Sequence, residues 1–507
     1  MRGPAAWAPA LLSVGYLLLA TAWVFGNPPA SAPDEPEHYI RAVSVGRLEL
    51  LGQPTDATPM RPQDARQAAF LHEITRSVAI PATLASPDAW FCTVIDHDAS
   101  AACLDRRSPA PPPTRQATYV GSYEPYPYLL MGLATHLGGD PVAALLWARV
   151  ANMVVAIVLL IAALWLLWDG LDLTSLMGFV LAATPMVVFT SAVVSPSGAE
   201  VSSSLCVTAA ILRAWRRPGD RAATVALGVA GAVLAVGRPL GPVWLFCDGV
   251  LLALLVGRPG LRVLYRSSPA LIRALGCLVA LAGTLNIGWQ LVVLPPAGRT
   301  LADMASFIGP SIAALPEAFG EAIGVFGWQD TLMPRPLYGI WGLALVAVIA
   351  AALLTGRRRE VRRLELTLIA AGVVTVLLSA AAIMPTGFAI QGRYVLPALV
   401  TVPLLAGEIA HRNWRRRGAA WIAPLASVLI VVAGFVQLAG WYSNARRYAV
   451  GANGSWLFIG HSQWQPPGSW VPWLSLAMLG AAAIAFTPLV TRLTSRHVRS
   501  TTPLPAG

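Results

Sequence analysis

At 507 residues the chain could fill several soluble domains, but 56% of it is hydrophobic and only 12% charged, about half the charged share of a globular protein. Its formal net charge of +11 rests on arginine alone, since the sequence contains no lysine. Most of those arginines stand in short runs between apolar stretches, so the charge reports membrane orientation and not a nucleic-acid partner.

A bilayer-spanning helix needs roughly 20 apolar residues. That ruler predicts an all-α polytopic membrane protein with about 12 transmembrane helices. They fall near 6–25, 144–168, 174–194, 199–215, 222–237, 240–257, 270–293, 337–355, 364–384, 394–410, 419–441 and 471–491, the fourth to sixth being short. Ala30-Ser31-Ala32 resembles a signal-peptide cleavage site. Pro33 would follow the cut, however, so an uncleaved first helix is expected.

Alternating the loops places Arg213, Arg216, Arg217, Arg221, the 258–273 arginines, the 357–363 and 412–417 clusters and Arg492, Arg496 and Arg499 on the cytoplasmic side. The long loops 26–127, 294–336 and 442–470 then face outwards, and both termini are cytoplasmic. The first outer loop is too long to be a connector and should be structured. It has a helical pattern from His38 to Leu51, a second amphipathic stretch near 62–77, a proline-rich linker from Ser108 to Thr114, and an aromatic-proline run from Tyr119 to Tyr128. Cys92 and Cys103 share this loop and can form a disulfide if it lies outside; His97 alone is thin support for a metal site. Cys206, Cys247 and Cys277 lie in apolar segments and read as packing residues. No internal repeat suggests the inverted halves of a transporter.

Three segments could carry chemistry. Pro33-Asp34-Glu35-Pro36-Glu37-His38 follows the first span. Asp34 and Glu37 fit a helix cap, but a cap explains neither Glu35 nor His38. In a helix starting there, Asp34, His38 and Arg41 share a face at i, i+4 and i+7, a carboxylate, imidazole and guanidinium suited to acid–base work on a phosphorylated substrate. The second segment is Gly324-Val325-Phe326-Gly327-Trp328-Gln329-Asp330, where Trp328 fits an interfacial anchor and Asp330 is a carboxylate near membrane depth. The third is Gln391-Gly392-Arg393-Tyr394-Val395-Leu396-Pro397, whose Arg393 opposes the positive-inside trend. It can pair with an outer-loop acid or serve as a fork for phosphate oxygens. Glu200 and Arg149 beside Asn152 are weaker intramembrane candidates that could simply join helices.

These three motifs in this order, with the loop cysteine pair and Asn444-Ala445-Arg446-Arg447-Tyr448, resemble the bacterial family called domain of unknown function 2142, placed among the GT-C-type membrane glycosyltransferases. Glu124 interrupts the aromatic run where that family would have a Tyr-Pro-Pro-like sequence. The resemblance implies a GT-C-like fold in the bacterial plasma (inner) membrane and transfer of a sugar from a polyprenyl-phosphate donor to a cell-envelope glycan or glycolipid acceptor outside. It implies Asp34 as general base, Glu35 as the alternative base or metal ligand, and His38 as the group orienting that carboxylate or touching phosphate. Arg393 would bind the leaving phosphate with Gln391 and Tyr394 beside it, while Trp328 and Asp330 shape the sugar pocket and Arg41 contacts substrate. No cofactor is required by the residues, although a divalent cation, Mg or Mn, could assist Arg393. A transporter or lipid-carrier flippase and a non-catalytic envelope-assembly scaffold are the alternatives.

Overall fold

The computed structural model describes residues 6–57, 62, 64–105, 114–293 and 301–501. The linker expected at 108–114 lies outside these residues except for Thr114, as do residues 294–300 of the second long loop. Helix α1 (Trp7–Gly26) is an unbroken apolar run that ends where Asn27 turns extended. Next come α2 (Glu35–Gly46) and α3 (Ala65–Ile74), the latter started by Asp64, whose carboxylate accepts from the Gln67 N–H. A small antiparallel sheet, β1 (Gln53–Pro54), β2 (Arg76–Ala79) and β3 (Arg115–Thr118), pairs Arg76 with Thr118 and Ala79 with Arg115. Between β2 and β3, Cys92 and Cys103 form the expected disulfide, with Cα atoms 6.0 Å apart.

Helix α4 (Pro141–Leu167) begins at Asp140, which caps it through the Val142 and Ala143 N–H groups. The next span is broken. α5 (Met177–Ala182) and α6 (Pro185–Ser191) belong to a pair bent by 67°. Pro185 cannot continue the preceding helix, and Thr184 caps the new one through the Val187 N–H. There follow α7 (Pro196–Arg216), α8 (Arg221–Gly237), α9 (Gly241–Ser267) and α10 (Pro269–Val293). Helix α11 (Leu315–Gly324) leads into the hairpin of β4 (Val325–Phe326) and β5 (Thr331–Leu332). α12 (Arg335–Thr355), α13 (Arg358–Thr386), α14 (Gly392–Leu399), α15 (Thr401–Asn413), α16 (Ile422–Val450) and α17 (Trp470–Thr501) complete the bundle.

Every stretch expected to span is helical, but the count of twelve is not reached. Among the described residues 9 helices are long and apolar enough to cross, or 10 with the bent pair. α8 is apolar but only 17 residues long, and α7, at 21 residues, carries Glu200, Ser202, Ser203, Ser204 and Thr208. Hydropathy fails for α7 because the helix faces protein, not lipid: it packs against α4, α8 and α9, and nearly all of it is buried. Ser203 donates to the Glu200 carbonyl at 2.9 Å within the helix, and Ser204 donates to the Pro397 carbonyl at 2.9 Å on α14.

The three long loops meet at one end of the bundle. The Ala452 N–H donates to the Asp98 carbonyl at 3.2 Å, Ser100 donates to Gln463 at 2.7 Å, and the Trp328 indole donates to the Ala30 carbonyl at 3.0 Å. At the other end the short arginine-rich turns tie helix ends together: Arg213 pairs with Asp220 at 2.9 Å, Arg415 with Asp172 at 2.6 Å, and Arg216 with Glu408. The last helix lies along the first. A Cβ at Gly15 would stand 2.9 Å from the Gly480 carbonyl oxygen, so only small residues allow this approach.

Candidate functional site

At the long-loop end a cavity of about 500 Å³ opens between the first loop, α11, the β4–β5 turn and the start of α14. Asp34 sits at its wall. Its backbone is left-handed (φ 62°), a conformation that costs most residues about 1–2 kcal/mol and that Asp tolerates better than most. The strain turns the carboxylate away from the helix it precedes. Asp34 stands at the N-cap position of α2 but caps nothing, so the expected capping box does not form. Instead Oδ1 accepts a 2.6 Å hydrogen bond from the Tyr119 hydroxyl, and Oδ2 accepts from the Arg393 guanidinium. Burial alone would raise this carboxyl, but Arg393 and the Tyr119 bond outweigh it and hold it below the usual carboxylate range.

Arg393 lies buried at the start of α14 and also donates to the Pro33 carbonyl at 3.0 Å and to the Tyr394 hydroxyl at 2.9 Å. The Tyr394 ring, itself at the cavity, is faced by two guanidiniums, Arg238 at 4.3 Å and Arg393 at 4.8 Å from its centroid. His38 reaches the cavity from the first turn of α2 and shares a 2.7 Å hydrogen bond with the Tyr128 hydroxyl. Burial, against the pull of Asp34, pushes its imidazole down to about 3, so it is neutral at physiological pH. Trp328 and Gln391 complete the expected set at the wall.

Four expected residues do not line the cavity: Arg393 stands behind its wall, joined to it through Asp34, and Glu35, Arg41 and Asp330 lie elsewhere. Glu35 is fully buried on the far side of the α2 start, where Arg149 grips both oxygens at 2.8 and 2.6 Å and the Val194 N–H donates at 2.9 Å. Both partners are thus joints between α2 and α4. Arg41 does not join Asp34, which precedes the helix and does not share its wheel; it is buried against the Leu50 and Tyr123 carbonyls at 2.7 and 2.5 Å. Asp330 serves the turn. It accepts from the Trp328 N–H at 3.1 Å and meets Arg447 at 3.1 Å, while Gly327 and Gln329 take left-handed backbones beside it. A Cβ at Gly327 would fall 2.0 Å from the Asp330 carboxylate, which explains that glycine. The 444–448 segment is a latch: Arg447 holds Asp330 and the Ala99 carbonyl, and Tyr448 donates to the Ser31 carbonyl at 2.9 Å.

Reading the sequence missed Tyr119 and Glu321. Tyr119 was visible only as part of an aromatic-proline run that suggests an interface belt. Glu321 lies in a segment with no motif, although Glu317 and Glu321 stand four apart and both reach the cavity from α11. Behind the cavity, burial raises Glu37 and Glu124 to about 7. Among the described residues one trio of side chains could hold a metal ion, Asp169, Asp172 and His411, and it lies at the arginine-rich end. The oxygens of Asp34 are already engaged by Tyr119 and Arg393.

Over residues 17–402 the sequence matches the family described as "Predicted membrane protein (DUF2142)", and the chain belongs to that family. A solved structure, the crystal structure of ArnT from Cupriavidus metallidurans in the apo state, is similar at 15% identity with a TM-score of 0.36. That match covers 73% of this chain and 67% of the other. No curated protein matches the sequence.

Proposed function

We propose that this family member is a GT-C-type glycosyltransferase of the bacterial plasma membrane that moves a sugar from a polyprenyl-phosphate donor to a cell-envelope acceptor at its outer face, with both termini cytoplasmic. One observation carries the reading: Asp34 lines a cavity with Trp328, Tyr394 and Gln391, and directly behind it stands its ion-pair partner Arg393, more than 350 residues away in sequence. A carboxylate, a guanidinium, an aromatic face and amides are what a sugar phosphate needs for proton removal, phosphate binding and ring stacking.

In this mechanism the donor phosphate competes with Asp34 for Arg393, whose fork matches two phosphate oxygens. Release from the guanidinium makes Asp34 more basic at the moment a base is needed. An acceptor hydroxyl attacks the anomeric carbon while Asp34 removes its proton. The bond from that carbon to the phosphate oxygen breaks, and polyprenyl phosphate leaves with the electron pair held by Arg393. Neutral His38 keeps its bond to Tyr128 and adds no competing positive charge beside the base. A divalent cation, if used, would supply further charge at the phosphate.

The test is transfer from a panel of polyprenyl-phosphate sugars by purified protein, with and without a chelator. Asp34→Asn should retain the fold and lose roughly 10²–10⁴-fold in turnover. Arg393→Lys keeps the charge but not the fork, and should weaken donor use strongly. Full activity in both variants would place the chemistry elsewhere.

A further inference from the structure

Two loops must be held in register for Arg393 and Trp328 to face one ligand, and one side chain, Glu321, bonds to both. Glu321, on the last turn but one of α11, accepts from the Gly392 N–H through Oε2 at 2.5 Å and from the Gln329 amide through Oε1 at 2.7 Å. Gln329 in turn accepts from the Gln391 amide at 3.2 Å. The result is a closed ring through Glu321, Gln329, Gln391 and Gly392 that joins the β4–β5 turn to the start of α14.

The helix start explains why an acceptor is needed. Gln391 is the N-cap of α14 and offers no side-chain cap; its carbonyl accepts from the Tyr394 N–H at 3.0 Å, and the Gly392 N–H takes its acceptor from outside the helix. Glu321 provides it from another helix and sets a negative charge at the positive end of α14. The fit is tight: a Cβ at Gly392 would lie 2.2 Å from the Ala318 carbonyl oxygen, so α11 and α14 touch through backbone. Arg393 is the next residue along, and Gln329 follows Trp328 directly. Its own left-handed backbone (φ 66°) gives that turn little freedom once its amide is fixed.

We infer that Glu321 is a positioning residue that aims Arg393 and Trp328 at a common phosphate-bearing ligand. Both its oxygens already accept a hydrogen bond, although it lines the cavity. This rests on the reading of Arg393 as a phosphate ligand. A glutamine can replace it. Its carbonyl would accept from Gly392 and its amide donate to Gln329, provided the Gln329 and Gln391 amides turn over. The turned Gln329 amide then donates to Gln391 Oε1, which is buried and has no partner among the described residues.

The experiment measures binding of undecaprenyl monophosphate to full-length protein in nanodiscs, together with backbone hydrogen exchange in peptides covering 324–333 and 388–399. Glu321→Ala should weaken binding by roughly 10–100-fold, the size seen when groups that orient metal ligands are lost, and speed exchange in both peptides. Glu321→Gln should restore both towards wild type. Equal losses in Glu321→Ala and Glu321→Gln would show that the charge meets the ligand, which overturns a positioning role. Unchanged exchange in Glu321→Ala overturns the clamp outright. If wild type does not bind the lipid phosphate, the proposed function falls while the exchange result still decides the clamp.

Discussion

Asp34 and Glu35 are neighbours, each paired with an arginine distant in sequence, and they have opposite fates. Arg149 meets Glu35 where neither is exposed, through two parallel hydrogen bonds, with further contacts to the Val24, Asn27 and Pro28 carbonyls. Every donor of that fork is used, so the pair is a fastening between α1, α2 and α4. Arg393 meets Asp34 at a cavity, where Asp34 keeps about a fifth of its side chain exposed and the guanidinium leans on an aromatic ring. The same chemistry in the first place holds and in the second can be exchanged for a ligand. Solvent access separates them, not residue type.

The contrast is broken most directly by swapping measurements between the two acids. Asp34→Asn should cost roughly 10²–10⁴-fold in turnover at near-constant thermal stability. Glu35→Gln or Arg149→Met strands a buried charge or its partner and should cost about 3–5 kcal/mol of stability, read as loss of folded protein in detergent. If the Glu35 variant folds normally and only turnover falls, the two pairs have been assigned the wrong way round. The disulfide sharpens the same division. Cys92→Ser should cost roughly 3 kcal/mol by loop-closure entropy, detected as a lower unfolding temperature in oxidised but not in reduced samples. Turnover per folded molecule should stay intact. The smallest effect is a pH slope. Burial holds Glu37 near 7 in the folded chain against about 4.3 when free. Its stabilisation is therefore full below about 4.3 and is lost as pH rises through 7. Glu37→Gln should flatten the stability profile between pH 5 and 8 while Glu124 still contributes its own slope; parallel profiles would show that Glu37 is ionised in the fold.

How much of this was legible follows from what each inference used. Long apolar runs located the helices, and two cysteines in one polar loop located the disulfide, because both are local in sequence. The meeting of Asp34 with Arg393, Trp328, Gln391 and Tyr394 was legible only as an ordered set of motifs. Ranking Asp34 over Glu35 was not legible, since the two are adjacent at the start of one helix and only the left-handed backbone at 34 turns one carboxylate to the cavity. Arg41 was misplaced because a helical wheel was extended to a residue outside the helix. Glu321 was missed because its partners are a backbone N–H and a glutamine amide, neither of which leaves a sequence pattern.

The contact between Gly15 and Gly480 has a consequence for biogenesis. Helix α1 is made some 450 residues before the helix that covers its glycine face. At ribosomal rates of about 5–20 residues per second, that face waits on the order of tens of seconds with only lipid or an insertion factor against it. Assembly from the N-terminus therefore cannot close the bundle as it is synthesised. The closing step is the docking of α17 onto α1, and a bulky residue at position 15 would act there, lowering the yield of inserted protein before any site is formed.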